Sequence, residues 1–315
     1  MLVHKTKILL TGHAGQIGYE LMRVLPLLGS VTGIDKEEVD MASPDSILRI
    51  MREVKPDVVV NTAGYTSVDR AESEENTANQ INGVAPGVIA EELKKNGGLM
   101  VHFSTDFAYD GTKGAPYHES DLFNPLSVYG KSKIMGDIAI TATGVKHLIF
   151  RTSWVYGARG RNFLLTMLDM CKNTSEMRIL NDQLGAPTWC RFLAEGVGLI
   201  LSQKEAYDPS FSGFYNMSCG GSCTWYEFAV AIAKYYESNF GKRITIYPVS
   251  TGEYPMKALR PKYSLLDNHK LNSAFGVIMP DWNTSFKLLM QDMGFKEPKG
   301  IGVFPNKRKK TIKKG

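Results

Sequence analysis

Short apolar runs alternate with longer amphipathic stretches through the first 150 residues: KILLT, QIGYELMRVL, VTGID, SPDSILRIMREV, DVVVNTAG, a helical pattern across the 80s and 90s, LMVHFST and HLIFRTS. Strand-like and helix-like segments in turn predict βαβ units, and near-continuous apolar strands predict a parallel sheet covered on both faces. Ser43 before Pro44 predicts a helix start, with the hydroxyl as N-cap and the proline at the first helical position. Beyond Phe150 the pattern is irregular, with glycine, proline and aromatic residues among shorter helices such as Phe163–Cys171 and Trp225–Tyr236. That mixed region predicts a smaller domain over the open end of the sheet. The segments GAPT at 185–188 and LRPKYSLLD at 259–267 read as returns towards the sheet, so the boundary is not a single cut.

Composition narrows the class. The chain has 315 residues, 43% hydrophobic and 22% charged, which is the balance of a packed globular protein. The net charge of +5 is a property of the end of the chain: six of the positive charges, Lys307, Arg308, Lys309, Lys310, Lys313 and Lys314, lie in the last ten residues, and without them the net charge is −1. The body therefore predicts no nucleic-acid partner, and residues 301–315 read as a solvated, disordered basic tail. Cys171, Cys190, Cys219 and Cys223 show no CxxC spacing and read as free thiols. The N-terminal apolar run is too short for a signal segment, and no run of 18 apolar residues occurs, so a cytoplasmic protein with no membrane partner is expected.

Two motifs carry chemistry. In KILLTGHAGQIG, Gly12, Gly15 and Gly18 fall directly after the first strand and before a helix. Glycines there permit a tight turn, close approach of a pyrophosphate and close helix packing, so a dinucleotide site is expected. Asp35 ends the second strand about 20 residues on, where a carboxylate can accept from the adenosine ribose; Lys36 beside it offsets repulsion of a 2′-phosphate. NADH or NADPH is therefore the expected cofactor. The second motif, Tyr129-Gly-Lys-Ser-Lys133, opens a helical stretch and sets a phenol and an ammonium one turn apart. A cation beside the phenol is expected to lower its pKa from about 10 and suit it to proton transfer. The pair follows a strand ending in Ser104-Thr105-Asp106, whose hydroxyls can complete the site. No metal is required.

The segments TGHAGQIG, NTAGYTSVDRAE, FSTDFAYDG, NPLSVYGKSK, FRTSWVYG, NDQLGAPT and RPKYSLLD run in order from residue 7 to about 290. In this the chain resembles the extended short-chain dehydrogenase/reductases and, within them, the dTDP-4-dehydrorhamnose reductase family. The resemblance implies a Rossmann-type doubly wound parallel sheet of α/β class with a smaller, discontinuous substrate-binding domain. The expected division is an NAD(P)-binding domain at 1–155 with returns near 187–215 and 260–280, a mainly substrate-binding part at 156–300, and the tail. The implied reaction is reduction of the C4 ketone of a dTDP-linked 4-dehydro-sugar. Thr105, Tyr129 and Lys133 would form the catalytic triad. The cofactor would lie against Gly12, Gly15, Gln16, Ile17, Gly18, Asp35, Asp40, Met41, Ala63, Gly64 and Tyr65, with Tyr129 and Lys133 also touching it. The nucleotide-sugar substrate would meet Val68, Thr105, Asp106, Trp154, Asn162, Phe163 and Arg260. As residues alone, Val68 and Phe163 also read as core, Trp154 as a packing aromatic and Arg260 as an ion-pair partner.

The chain departs from the family pattern in having Phe107-Ala108-Tyr109 after STD and Asp137 where a glutamate is common. Some relatives hold a metal at a dimer interface with glutamates. Glu20 matches one such position but Arg191 occupies another, so a monomer or weak homodimer without metal is expected. Two other functions share the motifs: a reductase or epimerase of another nucleotide sugar, such as a UDP-linked ketosugar, and a non-catalytic regulatory subunit like the β subunit of methionine adenosyltransferase.

Overall fold

The computed structural model describes residues 6–298; the basic tail at 301–315 lies outside them. Six strands form one parallel sheet: β1 (Lys7–Thr11), β2 (Ser30–Ile34), β3 (Val58–Asn61), β4 (Leu99–Thr105), β5 (Lys146–Thr152) and β6 (Gly213–Asn216), in the spatial order β6-β5-β4-β3-β1-β2. Strand order reverses beside β1, which pairs with both β2 and β3. A crevice therefore opens at the carboxyl ends of β1 and β3, the place where such sheets hold ligands.

The apolar runs behave as their period requires. Ile8, Leu10, Val58, Val60, Val101 and Phe150 enter one core with Leu21 of helix α1 (Gln16–Val24) and with Leu271 and Phe275. Their neighbours Leu9, Val59, Met100 and Ile149 enter the other core, against Ile47 and Met51 of α2 (Pro44–Val54) and Ile89 and Leu93 of α3 (Ala85–Lys95). Successive strand residues thus serve opposite faces. Each such fully buried aliphatic side chain contributes on the order of 1.5–3 kcal/mol. At the start of α2 the Ser43 hydroxyl accepts from Ser46 N at 3.3 Å, with Pro44 at the first helical position.

Helix α4 (Val128–Thr143) carries the Tyr-x-x-x-Lys motif on its first turns, capped by Ser127, whose hydroxyl accepts from Gly130 N at 3.1 Å. A third core lies beyond the sheet, built by α5 (Phe163–Asn173), α7 (Trp225–Phe240) and α8 (Trp282–Asp292) around Phe228, Ile232 and Phe286. Between α5 and α7, α6 (Cys190–Leu201) returns to pack on α1 and the first core. The segments at 185–188 and 259–267 make short bridges beside the sheet: Leu184–Gly185 pairs with Cys223–Thr224, Thr188–Trp189 with Val155–Tyr156, and Leu184 bridges Tyr263. The later strand that joins the sheet is β6. Among the described residues no helix is long and apolar enough to cross a membrane.

Candidate active site

Parallel strands deliver their ends to one edge, and the sequence-predicted residues follow them: Gly12 after β1, Asp35 after β2, Ala63 and Gly64 after β3, Thr105 closing β4 and Trp154 just past β5. Gly12 has φ +72°, and a Cβ on it would stand 2.8 Å from Ala63 N; one on Gly18 would stand 2.1 Å from Gly12 O. At these glycines the loop therefore crosses the β1–β3 crevice as bare backbone. Gly15 caps α1 without any side-chain hydrogen bond, so the first-turn amides are left for an outside acceptor. Ile17 packs between the first and third cores. This backbone cradle suits a dinucleotide pyrophosphate.

Asp35 closes the loop, its two carboxylate oxygens accepting from Ala14 N at 3.0 Å and Lys36 N at 2.7 Å. Asp40 is exposed and accepts from Ala42 N at 2.9 Å, while Met41 leans on the second core. Tyr65 is fixed at both ends: its hydroxyl donates to Glu74 at 2.6 Å and its amide to Asn82 Oδ1 at 2.8 Å. Beside the loop a cavity of about 660 Å³ is lined by His13, Ala14 and Tyr19, with the guanidiniums of Arg23 and Arg159 at 3.5 and 3.9 Å from the Tyr19 ring centroid.

Across the crevice, Tyr129 is half-buried, its ring edge-on to Phe107 and its phenol facing the Thr105 side chain. Thr105 also accepts from Phe107 N at 3.1 Å, which fixes the turn that follows β4. Lys133 does not lie against the phenol. Its ammonium turns inward, donating to Phe103 O at 2.6 Å with His102 Nε2 at 3.3 Å. The expected lowering of the tyrosine pKa by the lysine is therefore corrected: burial pushes Tyr129 up to about 12, with Asp106 and Asp137 adding to the rise and the Thr105 hydrogen bond opposing it. Burial also lowers Lys133 to about 8 against the pull of Asp137, and raises Asp106 to about 7. A phenol that stays protonated through neutral pH is in the state that a proton donor requires.

The predicted substrate residues fall into two groups. Trp154 has φ +47° and stacks on Trp225, centroids 3.5 Å apart and planes 6° off parallel, with Phe163 4.5 Å from the same ring. Gly185 admits the indole, since a Cβ there would lie 2.3 Å from it. Asn162 caps α5 by accepting from Leu165 N at 3.1 Å, and donates to Gln16 Oε1 at 2.9 Å, so its amide joins the α5 loop to the first turn of α1. On the other side Arg260 donates to Asp69 at 2.7 Å, next to Val68.

Three positions that the structure brings to the site carry no such signal in the sequence. Asn82, buried in the π-helical turn Asn79–Val84, donates to Tyr65 O and to Ser132 Oγ, both at 3.0 Å, and so ties the β3 turn to α4. His102 hides in an apolar strand, and Trp225 reads as one more core aromatic. Arg191, at the supposed metal position, pairs with Glu20 at 3.3 Å and with Asp292.

The comparisons with known proteins fit this geometry. The family described as RmlD substrate binding domain matches residues 6–295. A dTDP-4-dehydrorhamnose reductase of Burkholderia thailandensis is 44% identical over 294 residues, 91% of this chain and 99% of the relative. The chain belongs to the dTDP-4-dehydrorhamnose reductase family. Among solved structures of that family, the Clostridium acetobutylicum protein superposes with a TM-score of 0.85 at 34% identity, covering 92% of this chain and all of its own. The Bacillus anthracis reductase, solved in complex with NADP, gives 0.85 at 31% identity and covers 91% of this chain and 99% of its own.

Proposed function

We propose that this chain reduces the C4 ketone of dTDP-4-dehydro-β-L-rhamnose to the hydroxyl of dTDP-β-L-rhamnose. A reduced nicotinamide, NADPH or NADH, supplies the hydride when bound in the backbone cradle of Gly12, Gly15 and Gly18 with Gln16, Ile17, Asp35, Asp40, Met41, Ala63, Gly64 and Tyr65 around it. Thr105 and Tyr129 hold the carbonyl oxygen between two hydroxyls, and Tyr129 gives its phenolic proton to that oxygen as charge develops on it. Lys133, one helical turn on with its ammonium held at the Phe103 carbonyl, supplies positive charge behind the phenolate left by that step. Trp154 and Phe163 offer apolar faces to the deoxysugar; Arg260, near Val68, is the cation for the diphosphate. Asp106 borders the sugar, and Asn162 fixes the loop that carries Phe163.

The observation that carries this reading is that Thr105 and Tyr129 meet across the crevice from a loop whose glycines leave no room for a Cβ. The relatives named above, including one bound to NADP, support the substrate and the cofactor. We keep residues 1–155 with the returns near 187–215 and 260–280 as the cofactor domain and 156–300 as mainly substrate-binding. We also keep the cytoplasm as compartment, in line with four free cysteines, all buried. A monomer or weak metal-independent homodimer is supported by the Arg191 cation between Glu20 and Asp292, which repels Mg²⁺. The test is NADPH and NADH oxidation with dTDP- and UDP-linked 4-keto-6-deoxysugars. Turnover of the dTDP substrate is expected. Turnover of the UDP sugar alone would transfer the site to another nucleotide sugar, and none with either would favour the regulatory-subunit reading.

A further inference from the structure

Beneath the site lies a buried polar group that the reaction above leaves without a role. His102, Asp137 and Ser104 are 1, 0 and 4% exposed. Burying ionisable groups is costly, and well-packed apolar residues of similar volume often serve stability as well or better. The arrangement is nevertheless connected atom by atom. Thr11 Oγ1 lies 2.6 Å from one end of the Asn61 amide, whose other end lies 3.0 Å from His102 Nδ1. His102 Nε2 stands 3.3 Å from Lys133 Nζ and 3.8 Å from Asp137 Oδ1. An ammonium only donates, so Nε2 accepts from it and the ring proton lies on Nδ1, towards the Asn61 amide. Asp137 Oδ1 is buried and has no hydrogen-bond partner, while Asp137 Oδ2 accepts from Ser104 Oγ at 2.7 Å. His102 Nε2 thus faces both the ammonium and an unpartnered carboxylate oxygen, while Nδ1 reaches Thr11, the residue before Gly12, through Asn61.

We propose that His102 and Asp137 are positioning residues for Lys133: His102 Nε2 accepts from the ammonium and holds it at the Phe103 carbonyl, and the Asp137 carboxylate, 3.8 Å from that nitrogen, favours the charged lysine. This rests on the reductase reading. The groups that face the lysine are His102 and the Phe103 carbonyl from β4 and Asp137 from its own helix. Arg151 of β5 acts on Asp137, and Asp106 and Asp137 act on Tyr129. The sign follows from these charges. Burial drives Lys133 down to about 8 and Asp137 opposes the fall, so removing the carboxylate moves the lysine to a still lower pKa, and activity that needs the ammonium is lost at lower pH.

The experiment is the pH profile of kcat/KM with the dTDP-linked ketosugar for the unmodified chain, Asp137→Asn, Asp137→Glu and His102→Gln, with cofactor binding read by fluorescence and Tm recorded for each. The unmodified chain should lose activity as pH rises past about 8. Asp137→Asn should shift that limb downward, lowering kcat/KM at pH 8 by about tenfold relative to pH 6.5, the worth of one displaced unit; Asp137→Glu should restore it. If Asp137→Asn fails to fold, His102→Gln reads the same limb and should shift it the same way. Limbs superimposed on the parent's, with only a lower Tm or a uniform loss at every pH, would make both residues structural and overturn the proposal. An unmodified chain with no turnover would overturn the reductase reading and this inference together.

Discussion

The side of the crevice proposed for the cofactor is built from glycine backbone over a buried polar seam, whereas the side proposed for the sugar is built from aromatic faces. On the first side Gly12 and Gly18 leave no room for a Cβ, and Asn61, His102 and Lys133 are joined at 2.6–3.3 Å through named donors and acceptors. On the second, Trp154, Trp225 and Phe163 lie half-buried against one another, with Trp154 held at φ +47°. Hydrogen bonds fix atoms in direction and ring faces tolerate sliding. On the proposed function, the difference gives placement of the reacting groups to the sheet and accommodation of the substrate to the aromatic stack.

Removing the proton donor should have the largest effect: Tyr129→Phe lowers kcat by on the order of 10²–10⁴ with Tm and cofactor affinity unchanged, since the hydroxyl acts in proton transfer and the ring keeps its contact with Phe107. Next comes a pair of glycine substitutions that should separate the two sides. Gly12→Ala forces an L side chain into φ +72° against Ala63 N, so cofactor affinity should fall and the fold lose roughly 1–3 kcal/mol, measured by fluorescence titration and denaturant unfolding. Gly185→Ala displaces the Trp154 indole and should raise KM for the sugar nucleotide severalfold while leaving cofactor Kd alone. Should both variants affect both ligands equally, the division of labour drawn here is wrong.

Asp35→Ala should act more mildly. It removes the charge that opposes a 2′-phosphate and also two acceptors for loop amides, so preference moves towards NADPH while NADH binding weakens. Exclusive use of NADPH by the unmodified chain would contradict the role given to Asp35. The smallest effect is expected from EDTA: activity and sedimentation should not change, because Arg191 places a cation between Glu20 and Asp292.

What the sequence made legible follows the same divide. Strands β1, β3 and β4 announce themselves because they are buried almost throughout and mostly apolar, and the Ser43–Pro44 signal marks the start of α2. Helices α5 and α7 run on to Asn173 and Phe240, past the Cys171 and Tyr236 where their apolar spacing stops; their last turns are mostly exposed and polar, and Gly241 ends α7 with φ +69°. Strand β6 has the short sequence GFYN and no apolar run; it exists because Tyr215 packs into the first core and β5 offers a free edge. At the site, the four-residue spacing of Tyr129 and Lys133 fixes a shared helix face but not a rotamer. What turns the lysine inward is the carbonyl of Phe103 and the imidazole of His102, both supplied by a strand distant in sequence. Asn82 carries no local signal, since its value comes from a π-turn and from partners 17 and 50 residues away.

The central claim is that this crevice delivers hydride to C4 of a dTDP-linked ketosugar while Tyr129 protonates the oxygen. Its most direct test is product analysis by NMR after turnover of dTDP-4-dehydro-β-L-rhamnose with NADPH deuterated at the transferable position. The account predicts one deuterium on C4 of dTDP-β-L-rhamnose from the unmodified chain and almost none from Tyr129→Phe in the same time. Deuterium at another carbon, no product, or equal labelling by the variant would contradict it.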